Sequence, residues 1–272
     1  MKCGKHTKFI LTPVSEILKD CVNATKGLSM GVETYPLCDY IMQTTFLKMT
    51  GASEQKLKCI LWEIATNDFE FRYDFLKPQT SYGEYSRLED KNKVFRDLKK
   101  QVKKMTPDLD CFKKIYDDDT KTEIQKKASQ DLIDLLEHSV LAIWQVKQFN
   151  NFKKHSKKIL ENHFCNVSKD GTNVSLMEEV INYDKIIWKH RNRCAHNLKS
   201  YQENLPDLSN LVKKEYDYEN YFFRFSIIFL MYEIFMKIYK NKIIWLCRSQ
   251  KSLTAERRMN LLVIAQKCRV TH

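Results

Sequence analysis

The chain has 272 residues, 46 Lys+Arg against 34 Asp+Glu, a net charge of +12 at pH 7 and 43% hydrophobic residues. That apolar share excludes a disordered chain, and the length allows one large domain or two small ones. The charge excess speaks to partners and not to fold: it suits a polyanion such as RNA or DNA, and equally the solvated helix faces of a Lys-rich protein.

Six glycines and five prolines among many helix-favouring charged residues predict an all-α protein with few hairpins. Helical spacing of apolar positions predicts a first helix over 14–26, ending before Gly27, and a second over 35–49, ending at Gly51. Ser53 caps a third, from 54 to about 76, with Leu57, Ile60, Leu61, Ile64, Phe71 and Phe75 along one face. A loop over 79–86 leads to a basic helix over about 88–105, after which Thr106-Pro107 looks like a cap and first-turn proline. Thr120-Lys121-Thr122-Glu123 has capping-box spacing and opens a long helix to about residue 148. A basic segment, 152–162, and a loop over 167–173 centred on Gly171 come next. Ser175-Leu176-Met177-Glu178 reads as a second capping box, opening a helix through Val180, Ile181, Ile187 and Trp188 into residues 191–196. A polar stretch, 197–207, breaks the pattern. A last long helix spans about 218–246, and 255–265 reads as a further short one. No internal repeat or low-complexity linker divides the chain. We read it as one helical domain, 1–272: an N-terminal helical part (1–105), a core bundle (106–247) and a basic tail (248–272).

Nine cysteines (3, 21, 38, 59, 111, 165, 194, 247 and 268) include no Cys-x-x-Cys pair. The odd number and wide spacing fit neither a disulfide framework nor a zinc ribbon, and read as buried thiols in a reducing cytoplasm. Phe9 to Leu11, ended by Pro13, is too short for the apolar part of a signal peptide. Residues 221–236 are the most apolar region, but Arg224 and Glu233 interrupt it, so a core helix is expected and no membrane span. The positive charge falls in three clusters: Lys91, Lys93, Arg96, Lys99, Lys100, Lys103 and Lys104; Lys147, Lys153, Lys154, His155, Lys157 and Lys158; and Arg248, Lys251, Arg257, Arg258, Lys267 and Arg269.

The most informative segment is Trp188-Lys189-His190-Arg191-Asn192-Arg193-Cys194-Ala195-His196-Asn197. Arg191 can hold a phosphate in its guanidinium fork. His196, five positions on, can move a proton near neutral pH. Asn192 precedes His196 by four, on the same side of a helix, where it can orient the imidazole or bond the phosphate. Arg193, Lys189 and His190 are candidate RNA-backbone contacts. Cys194 reads as a small core thiol, because no base and orienting group accompany it.

Arg191-Asn192 and Ala195-His196, with no insertion between them, resemble the motif of the HEPN superfamily, whose ribonucleases carry Arg-x4-6-His, frequently with Asn after the arginine, at the end of a helix in a four-to-five-helix bundle. The stretch Gly51-Ala52-Ser53-Glu54-Gln55-Lys56-Leu57-Lys58-Cys59-Ile60-Leu61-Trp62-Glu63 resembles the N-terminal region of abortive-infection HEPN proteins, relatives of type VI CRISPR nucleases. The resemblance implies a HEPN-like bundle over 106–247 and an endoribonuclease acting in antiphage defence or as a toxin. It also implies a composite site in which two motifs face each other across a homodimer. It further implies restraint by a partner protein such as an antitoxin or by a non-coding RNA, and a supporting acidic residue from an earlier helix. Glu63 is favoured for that place over Asp68 and Glu137-His138. The alternative within the family is a non-catalytic RNA-binding or regulatory module.

The chemistry agrees with the resemblance. RNA carries its own nucleophile, the 2′-hydroxyl, so cleavage calls for a base, an acid and a cation at the phosphorane, and for no metal or cofactor. His196 would be base or acid and Arg191 the phosphate ligand. The products would be a 2′,3′-cyclic phosphate and a 5′-hydroxyl. One histidine does not easily serve both steps, which is why a second copy of the chain is expected.

Overall fold

The helix at the centre of the fold runs straight through the glycine expected to end it. In the computed structural model, which describes residues 5–29, 31–77, 84–105, 115–160, 164–167, 174–177, 182–196 and 220–249, α3 is a single helix, Tyr35–Asn67, of 33 residues. Gly51 sits inside it with nothing within 4 Å of a Cβ position. An interior glycine costs only about 1 kcal/mol in a helix, and packing on both sides of Gly51 outweighs that. Two short helices precede it, α1 (Lys5–Leu11) and α2 (Ser15–Ala24). α3 ends at Asp68, whose side chain accepts from Phe71 N at 3.0 Å and so starts α4 (Phe69–Phe75). The third expected helix is therefore the second half of α3 followed by a separate short helix.

The basic helix α5 (Leu88–Met105) has the expected bounds. α6 (Asp118–Leu136) starts earlier than the Thr120 box because Asp117, in extended conformation, caps it by accepting from Thr120 N at 2.8 Å. It also stops earlier. His138 takes a left-handed backbone (φ 67°), and Ser139 caps a new helix, α7 (Val140–Trp144), which α8 (Val146–Leu160) follows. Ser175-Leu176-Met177 of the second expected capping box lie in a strand, while Glu178, Val180 and Ile181 lie outside the described residues. β1 (Phe164–Val167) and β2 (Val174–Met177) pair antiparallel, Phe164 opposite Met177. Phe164, Cys165, Leu176 and Met177 are buried, so the hairpin tucks into the core, where the apolar Leu176-Met177 pair outweighs the capping preference of Ser175. A helical segment follows, first a wide turn over Asp184–Trp188 and then α9 (Lys189–His196). The last helix, α10 (Tyr221–Ser249), is buried almost all round from Tyr221 to Ile243. The expected features at 106–107, 197–207 and 255–265 lie outside the described residues. The fold class is all-α, with one strand pair among the described residues.

One apolar cluster runs from Ile10 to Ile243. α10 is its axis, packed against α3, α5, α6 and α8. Each large side chain removed from water there contributes about 1.5–3 kcal/mol. Polar pins tie the periphery to this axis. Lys56 of α3 donates from Nζ to the carbonyls of Phe9, Ile10 and Thr12, the open C-terminal end of α1. Tyr232 of α10 donates to Leu11 O at 3.0 Å. Among the described residues, no helix is long and apolar enough to cross a membrane.

Candidate functional site

Three parts of the chain meet at Arg191: α3, the segment leading into α5, and α9. The backbone just before α9 is widened. Lys189 N bonds to Asp184 O, five residues back, a π-type turn of the kind found at functional sites. Two long-range bonds fix this turn. Asp184 Oδ1 accepts from Leu88 N at 3.0 Å, which caps α5, and buried Arg224 of α10 donates from Nε to Ile186 O at 3.2 Å. Arg87 lays its guanidinium 4.2 Å from the centroid of the Trp188 ring. α9 thus leaves a turn bonded to both α5 and α10.

Arg191 is largely enclosed, with a side chain 21% exposed. Its Nη2 donates to Glu54 Oε2 at 3.3 Å, and its Nη1 donates to Asn192 Oδ1 at 3.2 Å and stands 3.8 Å from the exposed carboxylate of Glu84. Glu54 sits on the buried face of α3. Burial raises its carboxyl pKa, and Arg191 and Lys91 oppose that rise. Lys91 of α5 is wholly enclosed: its ammonium donates to Tyr85 O and lies 5.5 Å from the Tyr183 ring. Burial pushes its amine down to about 8 despite the pull of Glu54, Asp90 and Asp184. The result is a charge cluster in which one cation, Lys91, and one buried carboxylate, Glu54, stand behind Arg191, with one exposed carboxylate in front.

Asn192 turns its oxygen to Arg191, so its amide acts on the arginine in this arrangement. His196 is the last residue of α9; its backbone stands four residues beyond Asn192 on the same side of the helix, and its side chain lies outside what is described. Lys189 is exposed, as an RNA contact requires. Arg193 is half-buried, and its Nε has no hydrogen-bond partner among the described residues.

His190, expected as an RNA contact, is half-buried and turned inward: its ring packs edge-on against Phe46 at 5.1 Å and Tyr221 at 5.4 Å, with Nε2 3.5 Å from Cys194 Sγ. Burial, with Arg224 and Arg193 nearby, pushes it down to about 2, so it is neutral at pH 7. Burial likewise raises the Cys194 thiol, as a core thiol requires.

Glu63 stands apart from the motif. Its carboxylate accepts from Thr7 at 2.6 Å and from Tyr239, joining α1, α3 and α10. Nine residues separate it from Glu54 on one helix, a rise of about 13 Å. Asp68 is held by Phe71 N, Gln101 and Lys104, and Glu137 pairs with Lys153 at 3.5 Å. The carboxylate that reaches Arg191 is Glu54. A local signal for it exists: Glu54 falls in register with Phe46, Thr50, Leu57 and Leu61, all buried, and an acid on such a stripe calls for a cation. The first basic cluster is also less open than its sequence suggests, since Lys91 is enclosed while Lys93, Lys100 and Lys104 pair with neighbouring carboxylates. Comparison with protein-family models, with curated proteins and with solved structures finds no match to this chain.

Proposed function

We propose that this protein is a metal-independent endoribonuclease of the HEPN type that cleaves RNA by attack of the 2′-hydroxyl on the adjacent phosphate. The observation that carries the reading is Arg191, anchored on Glu54 with Asn192 beside it, on the same eight-residue helix as His196. A guanidinium with its orientation fixed before substrate arrives is what stabilises a phosphorane most, because no reorganisation is left for the transition state. His196 takes the 2′-hydroxyl proton or delivers one to the leaving 5′-oxygen. The second proton carrier is His196 of a second copy, so the working form is a homodimer with two motifs in one cleft. Exposed Lys189 lies one turn from Asn192 and suits the phosphate backbone. The resemblance extends the reading to antiphage defence or toxin action, with restraint by an antitoxin or a non-coding RNA.

The test is incubation of the purified protein with structured RNA in EDTA. Cyclic-phosphate ends are expected, lost in His196→Ala and in Arg191→Ala. Undiminished cleavage by either variant would falsify the assignment, and full-rate cleavage by a strictly monomeric protein would remove the composite site. A second reading, a non-catalytic RNA-binding or regulatory module, is favoured by the carboxylates that already engage both Arg191 amino groups. It predicts RNA binding without new ends.

A further inference from the structure

Arg191 meets its two carboxylates unequally. Glu54 is buried on α3, its side chain 10% exposed, and bonds Nη2 at 3.3 Å. Glu84 is 76% exposed and stands 3.8 Å from Nη1, beyond hydrogen-bond range. Asn192 takes the other contact of Nη1. Among the described residues, the Nη1 side therefore carries Asn192 and a loosely held surface carboxylate, the weaker of the two ion pairs for an incoming phosphate to displace. The Nη2 side is closed by Glu54 and, behind it, by the enclosed ammonium of Lys91.

We propose that Glu54 is the positioning residue of Arg191 in the ribonuclease reaction, and that the Glu84 side of the guanidinium is where the scissile phosphate binds. The inference rests on the ribonuclease reading above. Glu54 is not a catalytic residue, since it touches no reacting atom. It holds one edge of the guanidinium while the other edge turns to the phosphate. Its negative charge lies on the far side of the arginine from the substrate, yet close enough to repel a phosphate weakly.

This geometry has a kinetic signature. Removing the charge of Glu54 frees the guanidinium to rotate, and a small misplacement of a phosphate-binding group costs about a hundredfold in rate. The same change removes a repulsion, so substrate binds no more weakly. Glu54→Gln in the full-length protein is therefore expected to lower kcat about 10- to 100-fold with KM unchanged or lower. Glu84→Gln is expected to lower KM, because it clears the phosphate side. A residue that merely props up the fold lowers the active fraction instead, which leaves KM alone and moves the unfolding midpoint in step with kcat.

The experiment measures RNA cleavage and thermal unfolding together for the wild type, Arg191→Ala, Glu54→Gln, Glu54→Asp and Glu84→Gln. The two Glu54 variants guard against misfolding, since Glu54→Asp keeps the charge and withdraws it by one methylene; a kcat loss in folded Glu54→Gln supports the inference, and Glu54→Asp is read in its place where Glu54→Gln does not fold. Wild-type kcat in folded Glu54→Gln, or a KM raised as much as kcat falls, overturns it. So does Glu84→Gln raising KM. If the wild type leaves RNA intact, or Arg191→Ala cleaves normally, the ribonuclease reading fails and the inference fails with it. If those two controls behave and only the Glu54 or Glu84 results disagree, the reading stands and the inference alone is lost.

Discussion

Replacing Lys91 with methionine tests whether the charge cluster behind Arg191 is a source of stability or a burden on it. Lys91 is 2% exposed, and its ammonium donates to Tyr85 O. Glu54, Asp90 and Asp184 favour its charge, but burial outweighs them, and the amine falls from 10.5 to about 8. At about 1.4 kcal/mol per pH unit, keeping that charge in the fold near pH 7 costs about 3 kcal/mol. Methionine matches the length of the stem and carries no charge. It forfeits the bond to Tyr85 O and leaves that carbonyl short of a donor, a loss of about 1–2 kcal/mol. The balance favours Lys91→Met by about 1 kcal/mol, or about 2–4 °C in Tm for a chain of this size. Thermal denaturation followed by circular dichroism measures it. The pH dependence follows from linkage. Between about 8 and 10.5 the unfolded amine holds a proton that the folded one has released, so wild-type stability gains with rising pH from this group alone. The advantage of the variant should shrink over that range. Thiols and phenols that burial keeps protonated in the fold ionise over that range in the unfolded chain, but they are common to both proteins and cancel in the difference. A Tm lowered by about 10 °C would mean that pairing with Glu54 and Asp184 dominates, the ordinary result of stripping one partner from a buried pair, and the reasoning would be refuted.

Three other expectations follow from the same kind of accounting. Glu63→Gln should destabilise the fold by about 1–3 kcal/mol, because it weakens the link from Thr7 and Tyr239 to α3; RNA cleavage per folded molecule should hold, and a selective loss of kcat would return Glu63 to the site. His190 is neutral in the fold and pushed down to about 2, so the unfolded chain binds a proton there that the folded one does not. Stability from this residue is complete above about 6.5 and is lost as pH falls below it, by about 1.4 kcal/mol per unit. His190→Phe should abolish that loss, read as the difference between urea midpoints at two acidic pH values; equal acid sensitivity in the two proteins would contradict the buried setting. Asp68→Ala removes the cap of α4 together with bonds from Gln101 and Lys104. A loss of about 2 kcal/mol is expected, fading as pH falls below the ordinary carboxylate range, because those bonds hold the folded carboxyl far below that range and only the unfolded chain takes up a proton there; a pH-independent difference would show that the carboxylate charge plays no part.

The parts of the fold that were legible in the sequence are those where one local pattern met no rival. Residues 88–105 form a helix with an apolar stripe, an acidic first turn and a basic last turn, and its bounds came out as read. Where two local signals competed, burial decided. Gly51 lost to the packing of α3, and Ser175-Leu176-Met177 form a strand in place of a helix start because Leu176 and Met177 are buried in the core. At Asp117 the winning cap was simply three residues ahead of the one favoured by spacing. The first two of these outcomes depend on packing partners outside the segment, which a window of a few residues cannot contain.

The site divides in the same way. Arg191, Asn192 and His196 were legible because they are neighbours on one helix and their types alone suggest phosphate chemistry. Glu54 was not, because its partner lies 137 residues away and Ser53-Glu54 reads locally as a helix start. Yet the sequence held a usable constraint: with α3 unbroken, Glu54 and Glu63 fall on different faces, and only Glu54 joins the stripe of Phe46, Thr50, Leu57 and Leu61. A carboxylate there must find a cation or stay protonated, and the chain supplies Arg191 and Lys91. His190 obeys the converse rule. Its neighbours in sequence are Lys189 and Arg191, which made it look like part of a basic surface, but one position on a helix is a turn of about 100°, enough to carry the ring from the exposed side of Lys189 to the gap between Phe46 and Tyr221. A short run of basic residues on a helix is therefore not one surface: Arg191 turns to Glu54 and Glu84 while His190 packs inward.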